Sequence, residues 1–108
     1  MEIRLLALTS MLLLLSSERV HATDLLQIGD ASQIKWQLNS QGHVYLRNLD
    51  SFDNTYLGCC YNYWIDTSTD VGKVFFSTLL VQAAARRPIW IGVPDKSLAS
   101  AINYTGDW

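Results

Sequence analysis

The sequence predicts one small, mostly β domain that contains a single helix. Two patterns favour this class. Short segments alternate apolar with polar residues, which is the period of a half-buried strand, whereas the stretch 70–87 repeats its apolar residues at helical spacing. A chain of 108 residues also has room for one such domain and no more.

The first 22 residues predict a cleavable secretory signal. An apolar run from Leu5 to Leu15 follows Arg4, and small or modest residues precede a cleavage point after Ala22. The run is too short to span a bilayer, although an uncleaved anchor helix is the alternative. We therefore expect a signal peptide at 1–22, a single mature domain at 23–108 without a membrane span, and a secreted or periplasmic location.

Three strands are predicted before the helix, at 33–39, 43–49 and 60–66. A turn at 40–42 joins the first two into a hairpin, and the segment 23–32 is expected to be loosely ordered or an edge. The third strand carries aromatic residues on both faces, so its register stays open. The residues expected to face the core are Ile34, Trp36, Leu38, Val44, Leu46, Leu49, Tyr61, Tyr63 and Ile65.

The helix has marked ends and two dissimilar faces. Ser68, Thr69 and Asp70 can cap its first turn, and Pro88 stops it. One face should enter the core through Phe75, Phe76, Leu79, Leu80 and Ala83. The opposite face lacks the Lys and Glu of a solvated helix, which predicts a subunit interface with Val74, Val81 and Ala84 as candidate residues.

Two more strands, at 89–93 and 99–104, complete the order β-β-β-α-β-β. That order is the plan of the OB-fold, a five-stranded Greek-key barrel with a helix between its third and fourth strands. An open antiparallel sheet covered by one helix would show the same order. The predicted fold class is therefore β with one helix, OB-fold-like, after an N-terminal signal peptide.

Composition argues against several classes of function. The formal net charge is −2 and there is no basic block, which disfavours nucleic acid as a partner. No nucleophile elbow is present and no Glu follows the signal, so we expect no enzyme activity. After the predicted signal, one His (His43) and two adjacent Cys cannot complete a closed metal site, and no cofactor is indicated.

Cys59 and Cys60 are the only cysteines, and export favours their oxidation. Three states are open: a vicinal disulfide between them, a disulfide to another subunit or partner, or free thiols. Adjacent cysteines lie closer together than ordinary disulfides prefer. The usual redox motif separates its cysteines by two residues, so a redox catalyst is not expected.

Polar and aromatic residues are predicted to point away from the core. Aromatic rings beside amide and guanidinium groups stack on sugar rings or are buried at subunit interfaces. The alternative is that they fill the second side of a thin barrel or pack under loops. The candidate ligand or interface residues are Tyr45, Arg47, Asn62, Trp64 and Trp90.

The segments 42–47, 59–66, 76–83 and 88–91 together resemble small secreted bacterial proteins related to the B subunits of subtilase-cytotoxin-like and cholera-like toxins. The resemblance covers most of the mature chain. It implies an OB-fold, a homo-oligomer such as a ring-shaped pentamer, glycan binding and, in toxin members, a catalytic A subunit. It also implies a disulfide to the last strand, but 97–100 contains no cysteine.

The sequence thus predicts a secreted, non-enzymatic binding module that self-associates and binds a glycan or a partner protein in the manner of a toxin B subunit. The alternative prediction is a monomeric periplasmic OB-fold protein with a structural, stress-related or inhibitory role. The two differ in whether the exposed helix face is covered by another copy of the chain.

Overall fold

The computed structural model describes residues 23–107, which form two β-sheets and one α-helix. The seven strands are β1 (Asp24–Ile28), β2 (Trp36–Leu38), β3 (His43–Leu46), β4 (Tyr63–Asp66), β5 (Ile89–Val93), β6 (Ser100–Ala101) and β7 (Tyr104–Gly106), and the helix is α1 (Asp70–Ala84). The prediction of a mostly β domain with one helix is confirmed. The predicted signal peptide at 1–22 lies outside the described residues.

The strands divide into a three-stranded and a four-stranded sheet. The first has the order β1-β5-β7 and is antiparallel throughout. The second has the order β2-β3-β4-β6, in which only β4 and β6 run parallel. Within 23–107 the hydrogen-bonded pairs do not close the two sheets into a barrel.

The core lies between the inward faces of the two sheets and is closed on one side by α1. Alternation along the strands explains its composition, because every second side chain of a strand enters the core. The largest fully buried side chains are Ile28, Val44, Leu46, Leu49, Tyr63, Ile65, Leu79, Ile89, Ile91 and Val93.

The chain passes from one sheet to the other at two interruptions. A 3-10 turn at Ala31–Gln33 separates β1 from β2, and the amide of Ala31 donates to the carbonyl of Arg87 at 2.9 Å. The predicted fifth strand is likewise divided into β6 and β7, because β6 pairs with β4 whereas β7 pairs with β5. Of the two descriptions for 23–32, the edge strand is the one observed, as β1.

Side-chain or backbone contacts close both ends of α1. The hydroxyl of Thr69 accepts a hydrogen bond from the amide of Gly72 at 2.9 Å, which confirms the predicted cap. At the other end Arg86 has a φ of 54°, and the amide of Arg87 donates to the carbonyl of Gln82 at 2.9 Å. This Schellman arrangement ends the helix before Pro88.

Four predictions of burial are wrong. Trp36 and Leu38 are exposed, because β2 lies at an edge of its sheet. Tyr61 is exposed, because β4 begins only at Tyr63 and the preceding residues form a loop. Leu80 is also exposed, since Leu79 and Gln82 are the buried residues of that part of α1. Phe75, Phe76 and Ala83 do pack against the core.

No helix in the described part of the chain is long and apolar enough to cross a membrane.

Candidate functional site

The outward face of β3 and β4 carries a cluster of aromatic side chains, here called the aromatic face: His43, Tyr45, Tyr61 and Trp64. The strand register places Tyr45 directly opposite Trp64, so neighbouring strands present both rings on one side of the sheet. The ring centroids of Tyr45 and Trp64 are 6.3 Å apart, and those of Tyr45 and Tyr61 are 5.1 Å apart. His43 stacks on Trp64 at 5.9 Å.

A guanidinium group borders the aromatic face. The central carbon of the Arg47 guanidinium lies 5.8 Å from the ring centroid of Tyr61, and one terminal nitrogen donates to Cys60 Sγ at 3.4 Å. The Nε atom of Arg47 is buried and has no hydrogen-bond partner among the described residues. The Tyr61 hydroxyl donates to the side-chain carbonyl of Gln37 at 3.1 Å, which ties β2 to the same face.

The structure brings together three of the five candidate ligand or interface residues and separates the other two. Tyr45, Arg47 and Trp64 belong to the aromatic face and its border, and all three are half-buried. The amide of Asn62 instead donates to the carbonyl of Gly58 at 2.7 Å and closes a loop. Trp90 lies in β5, in the other sheet.

Cys59 and Cys60 are joined to each other in a disulfide, so the vicinal pair is the observed one of the three states. This pair begins the loop that leads to Tyr61 and lies beside Arg47.

The predicted interface residues on α1 are not covered by other parts of the chain. Val74 and Val81 are each 63 % exposed, and both line a shallow groove of about 300 Å³ along α1.

Two buried tyrosines have raised pKa values: Tyr63, on the inward side of β4, and Tyr56, in the preceding loop, whose ring contacts that of Tyr63. The Tyr63 hydroxyl donates to the carbonyl of Lys96 and accepts from the amide of Leu57, and burial raises its pKa. Burial, followed by the negative charge of Asp24, raises the pKa of Tyr56 to about 12. Both phenols are therefore neutral at physiological pH and are part of the core.

Titratable side chains do not assemble into a metal centre in the described part of the chain. No group of three or more His, Cys, Asp or Glu residues is placed to hold an ion within 23–107. The arrangement that remains is a sheet surface of π faces bordered by one cation, which can stack on planar or apolar faces of a ligand and bind its polar groups.

Sequence reasoning missed Tyr61, His43 and Gln37 as members of this surface. The alternation that places Tyr45 outward also places His43 outward, so that residue was identifiable from the pattern. The position of Tyr61 depends on where β4 begins, which no local pattern specifies.

Comparisons with protein-family models, with curated proteins and with solved structures find no match to this chain.

Proposed function

We propose that this protein is a secreted, non-enzymatic module that binds a glycan on the aromatic face and self-associates in the manner of a toxin B subunit. The observation that carries the proposal is the juxtaposition of Tyr45, Tyr61 and Trp64 on one outward sheet surface beside Arg47. Sugars present apolar C–H faces and polar hydroxyls, and such a surface offers groups for both.

The strand pairing supports an OB-fold assignment. If β1 with β2, and β6 with β7, are each treated as one interrupted strand, the chain has five strands with the helix between the third and the fourth. The first strand, β1 with β2, then pairs with β5 and β3. The fifth strand, β6 with β7, pairs with β4 and β5, and β3 pairs with β4. Every strand thus has two neighbours, as in a partly open Greek-key barrel.

The position of the aromatic face also supports ligand binding. In OB-folds the face of the second and third strands is a common site for oligosaccharides and oligonucleotides. In this chain those strands are β3 and β4, which carry Tyr45 and Trp64. The net charge of −2 disfavours an oligonucleotide and leaves the oligosaccharide as the better candidate.

Self-association is supported by the exposed small and apolar residues of α1. Val74, Val81 and Ala84 have no intramolecular cover, and a second copy would remove their surface from water. In the toxin-like proposal this assembly multiplies weak glycan sites, and a catalytic A subunit would be a separate protein.

Glycan binding is tested by screening the purified protein against immobilised glycans and repeating the assay with Trp64→Ala. Loss of a stacking ring should weaken binding roughly tenfold, corresponding to about 1.4 kcal/mol. Trp90→Ala, which removes the same side chain from the other sheet, is the control and should retain binding. Equal losses in both variants, with folding retained, would contradict the proposed site.

A further inference from the structure

Strand β2 is one of the two edges of the four-stranded sheet, and only half of its backbone hydrogen-bonding groups pair with β3. The carbonyl of Lys35 accepts a hydrogen bond from the amide of Arg47 at 2.8 Å. The amide of Asn39 donates to the carbonyl of His43 at 3.0 Å. Antiparallel ladders alternate, so Lys35, Gln37 and Asn39 face β3. The N–H and C=O groups of Trp36 and Leu38 point away, without a partner among residues 23–107.

The same two residues carry exposed apolar side chains. Trp36 is 39 % exposed and Leu38 is 53 % exposed, although both lie on the core side of the sheet, opposite buried residues of β3. The Trp36 ring meets the ring of Phe76 edge-on at 5.1 Å, so the exposed apolar surface of β2 adjoins α1. Natural sheet edges are usually blunted by charges, Pro or bulges, and 36–38 contains neither Pro nor a charge.

We propose that β2 pairs antiparallel with β2 of a second copy of this chain, about a two-fold axis at Gln37. In that register Trp36 lies opposite Leu38 of the partner subunit, and Leu38 lies opposite the partner's Trp36. The outward N–H and C=O groups of each pair then bond to each other, because these are the hydrogen-bonded positions of the new ladder. Their side chains meet on one face.

The segment is complementary to itself, which favours a copy over an unrelated strand. Each chain offers two outward donors and two outward acceptors, so a two-fold arrangement satisfies all of them. The nearest charge, on Lys35, falls opposite the partner's Asn39 rather than opposite a second lysine. No like charges are therefore opposed along the pair.

The pairing would place two aromatic faces on one surface. A two-fold axis normal to the sheet gives a continuous eight-stranded sheet whose outward faces point in the same direction. The two copies of β3 would then lie three strand spacings apart, about 14 Å. Bivalent glycan binding follows and rests on the proposed function, whereas the strand pairing itself does not.

A single cysteine at the two-fold axis tests the register. In the proposed pair Gln37 faces the partner's Gln37 at a non-hydrogen-bonded position, where Cα atoms are about 4.5 Å apart and a disulfide fits. The full chain with Gln37→Cys, exported to an oxidising compartment, should form covalent dimers at least tenfold more than Gln41→Cys. Gln41 is exposed on the adjacent turn and lies off the axis. Equal cross-linking of the two variants would overturn the proposal.

Charge substitutions test the pairing without added thiols. Trp36→Lys combined with Leu38→Glu should retain the doubled mass in sedimentation, because each lysine would face a glutamate of the partner. Trp36→Lys combined with Leu38→Lys should be monomeric. Both are made in a Val81→Asp background, which removes assembly through α1, and circular dichroism monitors folding. The same mass for both folded variants would refute the pairing, as would a monomeric parent.

These results are separable from glycan binding. Trp64→Ala should weaken glycan binding roughly tenfold and keep the dimer. The doubly lysine-substituted variant should keep the affinity of a single site and lose only avidity on dense glycan surfaces. A protein that dimerises through β2 but binds no glycan would retain the strand pairing and contradict the proposed function.

Discussion

At the residue scale, four aspartates make the same local contact. Each carboxylate accepts from the amide of the residue two positions later at 2.9 to 3.0 Å and from its hydroxyl at 2.6 Å. These hydrogen bonds, the one from the hydroxyl first, lower the pKa of each carboxyl group. The motif is Asp-x-Ser/Thr, and its aspartates are Asp30, Asp53, Asp66 and Asp95.

Alkaline titration tests the burial of Tyr56. The raised pKa means that the fold favours the neutral phenol, so its contribution to stability is complete below the unfolded pKa of about 10 and is lost as the pH rises through about 12. Of the five tyrosines, we expect Tyr56 and Tyr63 to ionise late. Tyrosinate absorbance measures this directly.

The matched variant for this titration is Tyr56→Phe. The Tyr56 hydroxyl has no hydrogen-bond partner among the described residues, so its removal should change the free energy of unfolding by less than about 1 kcal/mol. The late-ionising part of the titration should shrink by one tyrosine. An unchanged curve would mean that Tyr56 is not one of the late groups.

At the element scale, the start of α1 depends on a glycine. Gly72 is buried, and a Cβ built on it would overlap the carbonyl of Asp66 at the end of β4. The close approach lets the Thr69 cap and the first helical turn sit directly against the sheet. A glycine in a helix interior is normally unfavourable, so packing explains its presence here.

Substitution of this glycine should destabilise the protein. Gly72→Ala gains about 1 kcal/mol of helix propensity but forces the helix away from β4, and we expect a net loss of about 2 kcal/mol in the free energy of unfolding. Denaturant unfolding measures the change. Lys73→Ala is the control, because Lys73 is exposed and its ion pair with Asp70 is 4.0 Å long. A stabilised Gly72→Ala variant would contradict the close approach.

At the scale of the whole molecule, the assembly state separates the two predicted roles. Val81→Asp places a charge on the exposed face of α1, where it meets no intramolecular partner, and should dissociate an assembly built on that face while leaving the domain folded. Native mass with and without the substitution measures this. The monomeric periplasmic alternative predicts the same mass for both proteins.

Reductant provides an independent check on that assembly. Because Cys59 and Cys60 are paired within one chain, we expect the native mass to be the same with and without reductant. An assembly that separates only on reduction would assign a cysteine to the interface instead. Purification from an oxidising compartment is required for the comparison.

The sequence alone determined the features that depend on neighbouring residues. Strand β5 was predicted at its observed bounds, and the cap of α1 and the outward positions of Tyr45 and Trp64 follow from local alternation and capping chemistry. The Asp-x-Ser/Thr turns belong to the same class, because each joins residues only two positions apart.

Tertiary structure decided what depends on long-range pairing. Tyr61 joins the aromatic face only because β4 starts after it, and Trp90 is separated from that face because β5 pairs with β1. The exposure of Trp36 likewise follows from its place on an edge strand, although its alternation is that of a buried residue. Alternation gives the face of a side chain, but only the arrangement of strands determines what covers it.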